Sequence, residues 1–391
     1  MPRYHTVVIG AGVNGLSTCY QLASRGIRNI CLLEQFALAH DRGSSHGHSR
    51  VTRSAYANDR YVRLMQIAHN ESWPQLERDA GTQLIYATGG CFFGPPNGRF
   101  QNYAEAVAAA GADVELLTVD EGRRRFPMFR FGNATGVLHD RTAALVAAAK
   151  TVQALVRLAR LNGVEIRENT AVRRIDHSSE PISVETSAGT VETERLIVTA
   201  GPWASRILPI IRSRVIVTRQ TVGYFQLAGP REHFEPGKFP VWGNLGSERD
   251  LIYYGLPQFG REGVKIAKHI VSGVDDDPDD VPEETPEAAI DDLRSYVMKE
   301  FAPPIERFVD WETCLYTCTA TEDFILDIHP DNPNVVIGAG FSGHGFKFGP
   351  LTGRILCELS LHGRTSLPEF EDARQLFAFL PPFGPDLVAP R

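Results

Sequence analysis

The chain has 391 residues, of which 43% are hydrophobic and 22% charged, with a formal net charge of −7. That length suits two domains or one discontinuous pair of ordinary globular composition. The negative balance gives a nucleic-acid partner no electrostatic support, and the lack of a long uncharged apolar span excludes a transmembrane helix.

The N-terminal stretch "HTVVIGAGVNGLSTCYQLASRGIRNICLLEQ" reads as strand, glycine turn, helix and strand. Residues 6–9 are a short β-branched run. Residues 14–24 carry helical apolar spacing (Leu16, Cys19, Leu22) and stop at Gly26, a C-terminal glycine. Residues 29–33 form the next strand, which ends at Glu34. Gly10, Gly12 and Gly15 make G-x-G-x-x-G between strand and helix, with an acid nineteen residues on. The glycines permit the turn, close approach to a pyrophosphate and tight helix packing. The helix N-terminus offers amides and a positive dipole to phosphates, and Glu34 can accept from a ribose diol. The pattern by itself does not separate FAD from NAD.

Further along, "SHGHSRVTR" reads as a polar loop that carries Arg50 and Arg53. Residues 196–199 form a strand that runs into the small-residue turn Ala200-Gly201-Pro202-Trp203. "EGVKIAKHIV" reads as a strand with Lys265, Ala267 and His269 on one face. Lys265 and His269 are then ~13 Å apart. The acidic run 275–280, broken by Pro278, reads as a solvated loop. Residues 311–319 read as extended, which puts Cys314 and Cys318 on one face ~13 Å apart, too far for a disulfide.

Near the end, "NVVIGAGFSGHGFKFGPLTGRILCELSL" repeats the first grammar. A strand at 335–338 leads to a glycine turn with Gly343 and Gly345, then to a helix from about Pro350. A second glycine turn late in the chain suits a flavoprotein, because a flavin needs a helix N-terminus near its ring to hold negative charge. Lys347, set among glycine and phenylalanine, is poorly placed for solvation. The six cysteines (19, 31, 91, 314, 318 and 357) follow neither a secreted disulfide pattern nor a zinc spacing. The chain moves directly into a strand without a signal peptide, and its end, "LVAPR", is not the Ser-Lys-Leu peroxisomal address. The expectation is a reduced, cytoplasmic setting with no metal site.

The motifs "VIGAGVNG", "GSSHGHSRVTR", "LIYYG", "VKIAKH", "CLYTCTATEDFILD" and "GFSGHGFKF" span both ends and the middle of the chain. In that order they resemble the monomeric sarcosine oxidase and N-methyltryptophan oxidase family of flavin amine oxidases. The resemblance implies an α/β two-dinucleotide-binding-domain FAD fold with a discontinuous substrate domain on a mixed or antiparallel sheet. The FAD domain is expected at residues 1–85, 145–213 and 320–391, and the substrate domain at 86–144 and 214–319. The resemblance also implies FAD attached through its 8α-methyl carbon to Cys314, with Cys318 a bystander. It places Arg50 beside the flavin ring and Arg53 and Lys347 on a substrate carboxylate. Tyr254 falls in the pocket, and Lys265 and His269 against opposite parts of the flavin, with Lys265 as the oxygen activator.

The reaction implied is oxidation of a secondary amine of the N-alkyl amino acid type by O2. Its products are an imine, hydrolysed to amine plus aldehyde or oxo acid, and hydrogen peroxide. A monomer with a small carboxylate-bearing amine as substrate, and with no nucleic-acid or membrane partner, goes with it. A cyclic-amine (proline or pipecolate) or fructosyl amino acid oxidase, and a flavin amine dehydrogenase with another acceptor, remain as alternatives. The chain departs from the family at His48, where the sarcosine oxidases carry an acid, and in the second thiol, Cys318.

Overall fold

The near-continuous apolar run at the N-terminus suits a parallel strand buried on both faces. It forms the strand Arg3–Ile9, longer than the sequence reading at its start. The strand lies between Ile30–Leu33 and Gly189–Val198, parallel to both. The computed structural model describes residues 1–96, 99–247, 252–282 and 284–379. Residues 380–391, which include "LVAPR" and the end of the third expected FAD-domain segment, lie outside the described residues, as does Leu251 of "LIYYG".

Among the described residues, an eight-stranded sheet holds the glycine motifs. Its order is Val172–Asp176, Ile182–Thr186, Gly189–Val198, Arg3–Ile9, Ile30–Leu33, Glu165–Arg167. Asn332–Ala339 joins in parallel on the last three residues of Gly189–Val198, and Ile325–His329 pairs beyond it. The helix Val13–Ser24 follows the first glycine turn and ends before Gly26, whose φ is 83°. The helix Gly349–His362 follows the second turn, after a short 3-10 segment, Phe346–Phe348. The two helices pack closely because Gly353 faces Ser17: a Cβ there would sit 2.5 Å from the Ser17 backbone. Gly349 faces Val13 in the same way, at 2.6 Å from its side chain. The helices therefore run parallel and begin side by side, so their positive ends point to one place.

A second eight-stranded sheet has the order Ile305–Cys318, Ile216–Leu227, Val264–His269, Ile252–Leu256, Val241–Asn244, Gly90–Gly94, Gly136–Asp140, Val114–Leu117. Val241–Asn244 pairs in parallel with Gly90–Gly94, and the other pairs are antiparallel. The sheet is mixed, as expected. One face buries Phe93, Phe225, Phe239, Trp242 and Phe301 with the helix Glu287–Glu300. Val264 and Ile266 join that core, so Lys265 and His269, one residue out of phase, turn to the opposite face.

Two expectations are corrected. Arg50 lies in a strand, Ser49–Thr52, with Arg53 directly after it. The β-branched Val51 and Thr52 favour that conformation, and antiparallel pairing with Ala144–Ala147 supplies the partner that no local reading could see. The acidic run 275–280 is not simply a solvated loop. Asp275 and Asp276 accept backbone N–H bonds from Val217 and Arg219, each at 2.7 Å. Arg206 pairs with Asp277 and Asp279, and the Trp203 indole donates to Asp279 at 2.7 Å. Arg42 donates to the Asp279 carbonyl at 3.2 Å. Side chains and backbone from distant segments hold the run as a strap against Arg42, Trp203, Arg206 and the strand Ile216–Leu227.

Candidate active site

A cavity of about 1050 Å³ is lined by the carboxyl ends of the first sheet's parallel strands and by the second sheet's open face. Its volume is at the upper end of ordinary ligand sites, room enough for a dinucleotide with a small substrate beside it. Of the residues singled out in the sequence, Gly10, Gly12, Glu34, Arg50, Arg53, Tyr254, Lys265, His269, Cys314, Gly343, Gly345 and Lys347 all line it. Gly15 does not. It sits one helical turn in, where a Cβ would fall 1.9 Å from the Gly10 carbonyl oxygen.

At one end the first glycine turn meets the tip of Gly189–Val198. Gly10 has φ 97°, which L side chains rarely adopt, and a Cβ there would collide with the Thr199 carbonyl at 2.5 Å. Glu34 is 4% exposed and accepts from the amides of Ala11 at 2.8 Å and Phe36 at 3.0 Å, with His40 at 3.5 Å. Burial raises its pKa, but the His40, Ala11 and Phe36 hydrogen bonds prevail and hold the carboxyl below its usual range. An ionised acid at that strand end, two helix N-termini and a turn with no room for side chains fit a dinucleotide such as FAD.

The middle of the cavity is a charged cluster. The Arg50 guanidinium lies 3.9 Å from Cys314 Sγ, and its other donors are fixed by the carbonyls of Ser44 and Ser49. Lys265 is 4% exposed, and its ammonium donates to Glu312 at 2.8 Å. Tyr224 donates to the same carboxylate oxygen at 2.8 Å. Burial would raise the Glu312 carboxyl, yet Lys265, Tyr224 and Arg50 bring it down to about 2. Burial also raises the Cys314 thiol, against the lowering effect of Arg50 and Lys265. Cys318, further along the strand, is fully buried 3.6 Å from the Thr218 hydroxyl, and no disulfide joins any of the six cysteines.

At the far end Arg53 and Lys347 are buried together. The Arg53 guanidinium lies 4.2 Å over the Tyr56 ring and packs on Phe92 and Tyr103. Its Nη1 has no hydrogen-bond partner among the described residues. Lys347 donates to the Tyr56 hydroxyl at 3.2 Å. Burial, and secondarily the nearby Arg53, push the Lys347 pKa well down. His344 Nε2 faces the Glu322 carbonyl at 2.9 Å and must donate there, so its Nδ1 accepts from Tyr56 at 3.3 Å. That chain holds Lys347, Tyr56 and His344 in one arrangement. Among the described residues neither cation is ion-paired. Two buried cationic side chains without a direct ion pair leave room for an anion from outside the chain.

Tyr254 and Tyr316 share a hydroxyl–hydroxyl bond of 2.9 Å, and His269 lies beside Tyr316 with its Nε2 3.4 Å from Glu322. Gly343, with φ 75°, leaves its Cβ position to the Tyr316 ring, 2.2 Å away. His48 is exposed at the rim, whereas His46 is largely buried with Nε2 unpartnered among the described residues. Burial first, then Arg50 and Lys265, bring His46 down to about 4, so it is neutral near pH 7. Sequence reasoning passed over His46, Tyr56, Glu312, Tyr316 and His344. Glu312 and Tyr316 alternate with Cys314 on one strand, a signal that could have found them.

A glycine-cradled dinucleotide end and a charged, aromatic-walled end in one cavity define a dinucleotide-binding protein with a small-ligand pocket beside the nucleotide. The chain belongs to the family of FAD dependent oxidoreductases, which it matches over residues 5–359. It is similar to the peroxisomal sarcosine oxidase of Mus musculus, 36% identical over 363 residues and 92% of each chain. It is also similar to the monomeric sarcosine oxidase of Bacillus sp. (strain B-0618), 32% identical over 371 residues and 93% of each chain. In fold it resembles NikD, an unusual amino acid oxidase essential for nikkomycin biosynthesis, with a TM-score of 0.80 at 22% identity, covering 97% of this chain and 98% of that one.

Proposed function

We propose that this protein is an FAD-dependent oxidase of secondary amines of the N-alkyl amino acid type, as the names of its sarcosine oxidase relatives suggest. The observation that carries the substrate class is the buried pair Arg53 and Lys347, neither ion-paired among the described residues, with Arg53 Nη1 left without a hydrogen-bond partner there. An arginine fork matches a carboxylate with two parallel bonds, and the lysine adds a third. Bound FAD supplies the two-electron oxidation of the amine, and O2 carries the electrons away as hydrogen peroxide.

The chain's own residues prepare the substrate. Arg53 and Lys347 fix its carboxylate. Their positive charge disfavours a further proton on the adjacent nitrogen, which keeps the amine in its reactive neutral form. Phe92, Tyr103 and Tyr254 wall the pocket and exclude water. His269, Tyr254, Arg50 and Lys265 line the same cavity, and we assign the first two to the reacting end. We assign the covalent link to Cys314, where Arg50 at 3.9 Å supports the thiolate that burial opposes. Sheet membership supports a division into an FAD domain (1–85, 145–213, 320–391) and a substrate domain (86–144, 214–319). We take the chain to act as a monomer in the cytoplasm. Six cysteines without a disulfide support a reducing compartment, and among the described residues no helix is long and apolar enough to cross a membrane.

The test is a panel of N-methyl amino acids, proline and pipecolate, followed by peroxide release and by dye reduction. Peroxide from the N-methyl compounds is expected. Peroxide from the cyclic amines alone would move the substrate class, and dye reduction without peroxide would make the protein a dehydrogenase. No turnover with either acceptor would overturn the reading.

A further inference from the structure

The second sheet brings two opposite charges together inside the cavity. Lys265 lies on Val264–His269 and Glu312 on Ile305–Cys318, and Ile216–Leu227 runs between them. Tyr224 on that middle strand is paired in register with Lys265, and its hydroxyl reaches the Glu312 oxygen that Lys265 also holds. Glu312 thus takes two donors on one oxygen, while Arg261 stands 3.8 Å from the other. The side chains of Lys265 and Glu312 are 5% and 17% exposed, so water screens the pair little.

We propose that Glu312 is a positioning residue that keeps the Lys265 ammonium charged and fixed in place for the oxygen step. This rests on the reading of Lys265 as the oxygen-activating residue. The groups facing Lys265 are Arg50, Arg261, His46, Tyr224, Cys314 and Glu312. His46 is neutral, Tyr224 is protonated, Cys314 carries no charge once it is joined to the flavin, and Arg50 and Arg261 are cations. Asp310 is held by Arg261 at 3.3 Å, so among the described residues Glu312 is the one anion paired with the Lys265 ammonium. Without it, a buried amine beside Arg50 would hold its proton less tightly, because burial and the like charge both favour the neutral form. Burial and Arg50 already lower the Lys265 pKa, and Glu312 opposes them. A neutral amine cannot stabilise the charge that develops on O2 as it accepts electrons. The carboxylate has a second effect of opposite sign: while Lys265 is protonated, Glu312 offsets part of its field. It thereby widens the pH range of the oxygen step at the expense of its peak rate.

The chain has six lysines, Lys150, Lys238, Lys265, Lys268, Lys299 and Lys347, few enough to follow individually. Holoenzyme labelled with carbon-13 at lysine Cε is titrated by NMR, with Lys265→Met giving the assignment. The expected result is a Lys265 proton-dissociation constant at least about tenfold larger in Glu312→Gln than in the unaltered protein, a downward shift of about one pKa unit or more. Glu312→Asp keeps the charge but withdraws it by one methylene, and should fall between them. It also serves if the Gln variant does not fold. An unchanged Lys265 midpoint in these variants overturns the proposal. Stopped-flow reoxidation of the substrate-reduced enzyme gives the second readout. In Glu312→Gln the rate with O2 should decline as pH rises through the midpoint found by NMR, and below that midpoint it should at least equal the unaltered protein's. A shifted midpoint with an unmoved oxygen profile would leave the ion pair standing and refute Lys265 as the oxygen site.

Discussion

The Lys347 ammonium donates to the Tyr56 hydroxyl at 3.2 Å, and the face of the same ring carries the Arg53 guanidinium at 4.2 Å. Tyr56 thereby spaces two cations that would otherwise repel without relief. A carboxylate ligand would neutralise both. Losing one charge-assisted contact costs about 1.5–3 kcal/mol, roughly ten- to a hundredfold in affinity. Arg53→Met and Lys347→Met are each expected to weaken binding of a simple carboxylate inhibitor by that factor, read from the flavin absorbance change. Unchanged affinity in both would remove the assignment.

The same pair sets a pH dependence. Burial and Arg53 lower the Lys347 pKa, so Lys347 loses its proton at a lower pH than an ordinary lysine, whereas Arg53 stays charged. A carboxylate prefers the protonated form. Inhibitor affinity should therefore be flat below the Lys347 pKa of the free protein and decline as pH rises through it. Lys347→Met should abolish that decline while binding weakly throughout. A decline that persists in the variant would assign the titration to another group.

Cys314 is expected to carry the flavin. Acid-precipitated protein should stay yellow, with the colour on the peptide containing Cys314. Cys314→Ser should release all flavin to the supernatant. Cys318→Ser should retain it, because Cys318 is fully buried against Thr218. Flavin on the Cys318 peptide would reverse the choice of thiol.

Lys265→Met removes the ammonium at nearly constant length. Reoxidation of reduced enzyme by O2 should slow by about 10²–10³, the range for losing one electrostatic stabiliser, while reduction by substrate changes far less. His269→Asn should show the reverse partition. Stopped-flow separates the two half-reactions, and a wild-type reoxidation rate in Lys265→Met would return Lys265 to a structural role.

The strap over residues 275–280 hangs on Arg206, Trp203 and Arg219. Arg206→Ala should increase proteolytic cleavage within the strap, as should high salt acting on the exposed pairs. The melting temperature should move little, because the buried cores are untouched. Equal cleavage rates in the variant and the unaltered protein would show that the Arg206 pairs do not hold the strap.

The sequence by itself determined the local grammar. Gly10, Gly12 and Gly15 between a β-branched strand and an apolar-striped helix leave few backbone solutions, because glycine permits a tight turn and a close helix approach that a side chain would obstruct. Alternation in "VKIAKH" separated Lys265 and His269 from Val264 and Ile266, because a strand's period is two whatever surrounds it. Only the tertiary structure decided the partners. Arg50 is in a strand because Ala144–Ala147 lies alongside it, and the acidic run is ordered because arginines over fifty residues away reach it. Glu312 is silent in the sequence and pairs with Lys265 forty-seven positions earlier. His46 and His48 look equivalent in "SHGHSR", yet one is largely buried in the cavity and the other is exposed at its rim. Charges and hydrogen bonds act over a few ångströms in space, and a sequence records order along the chain, so pairs brought together by sheet register are legible only once the sheet is built.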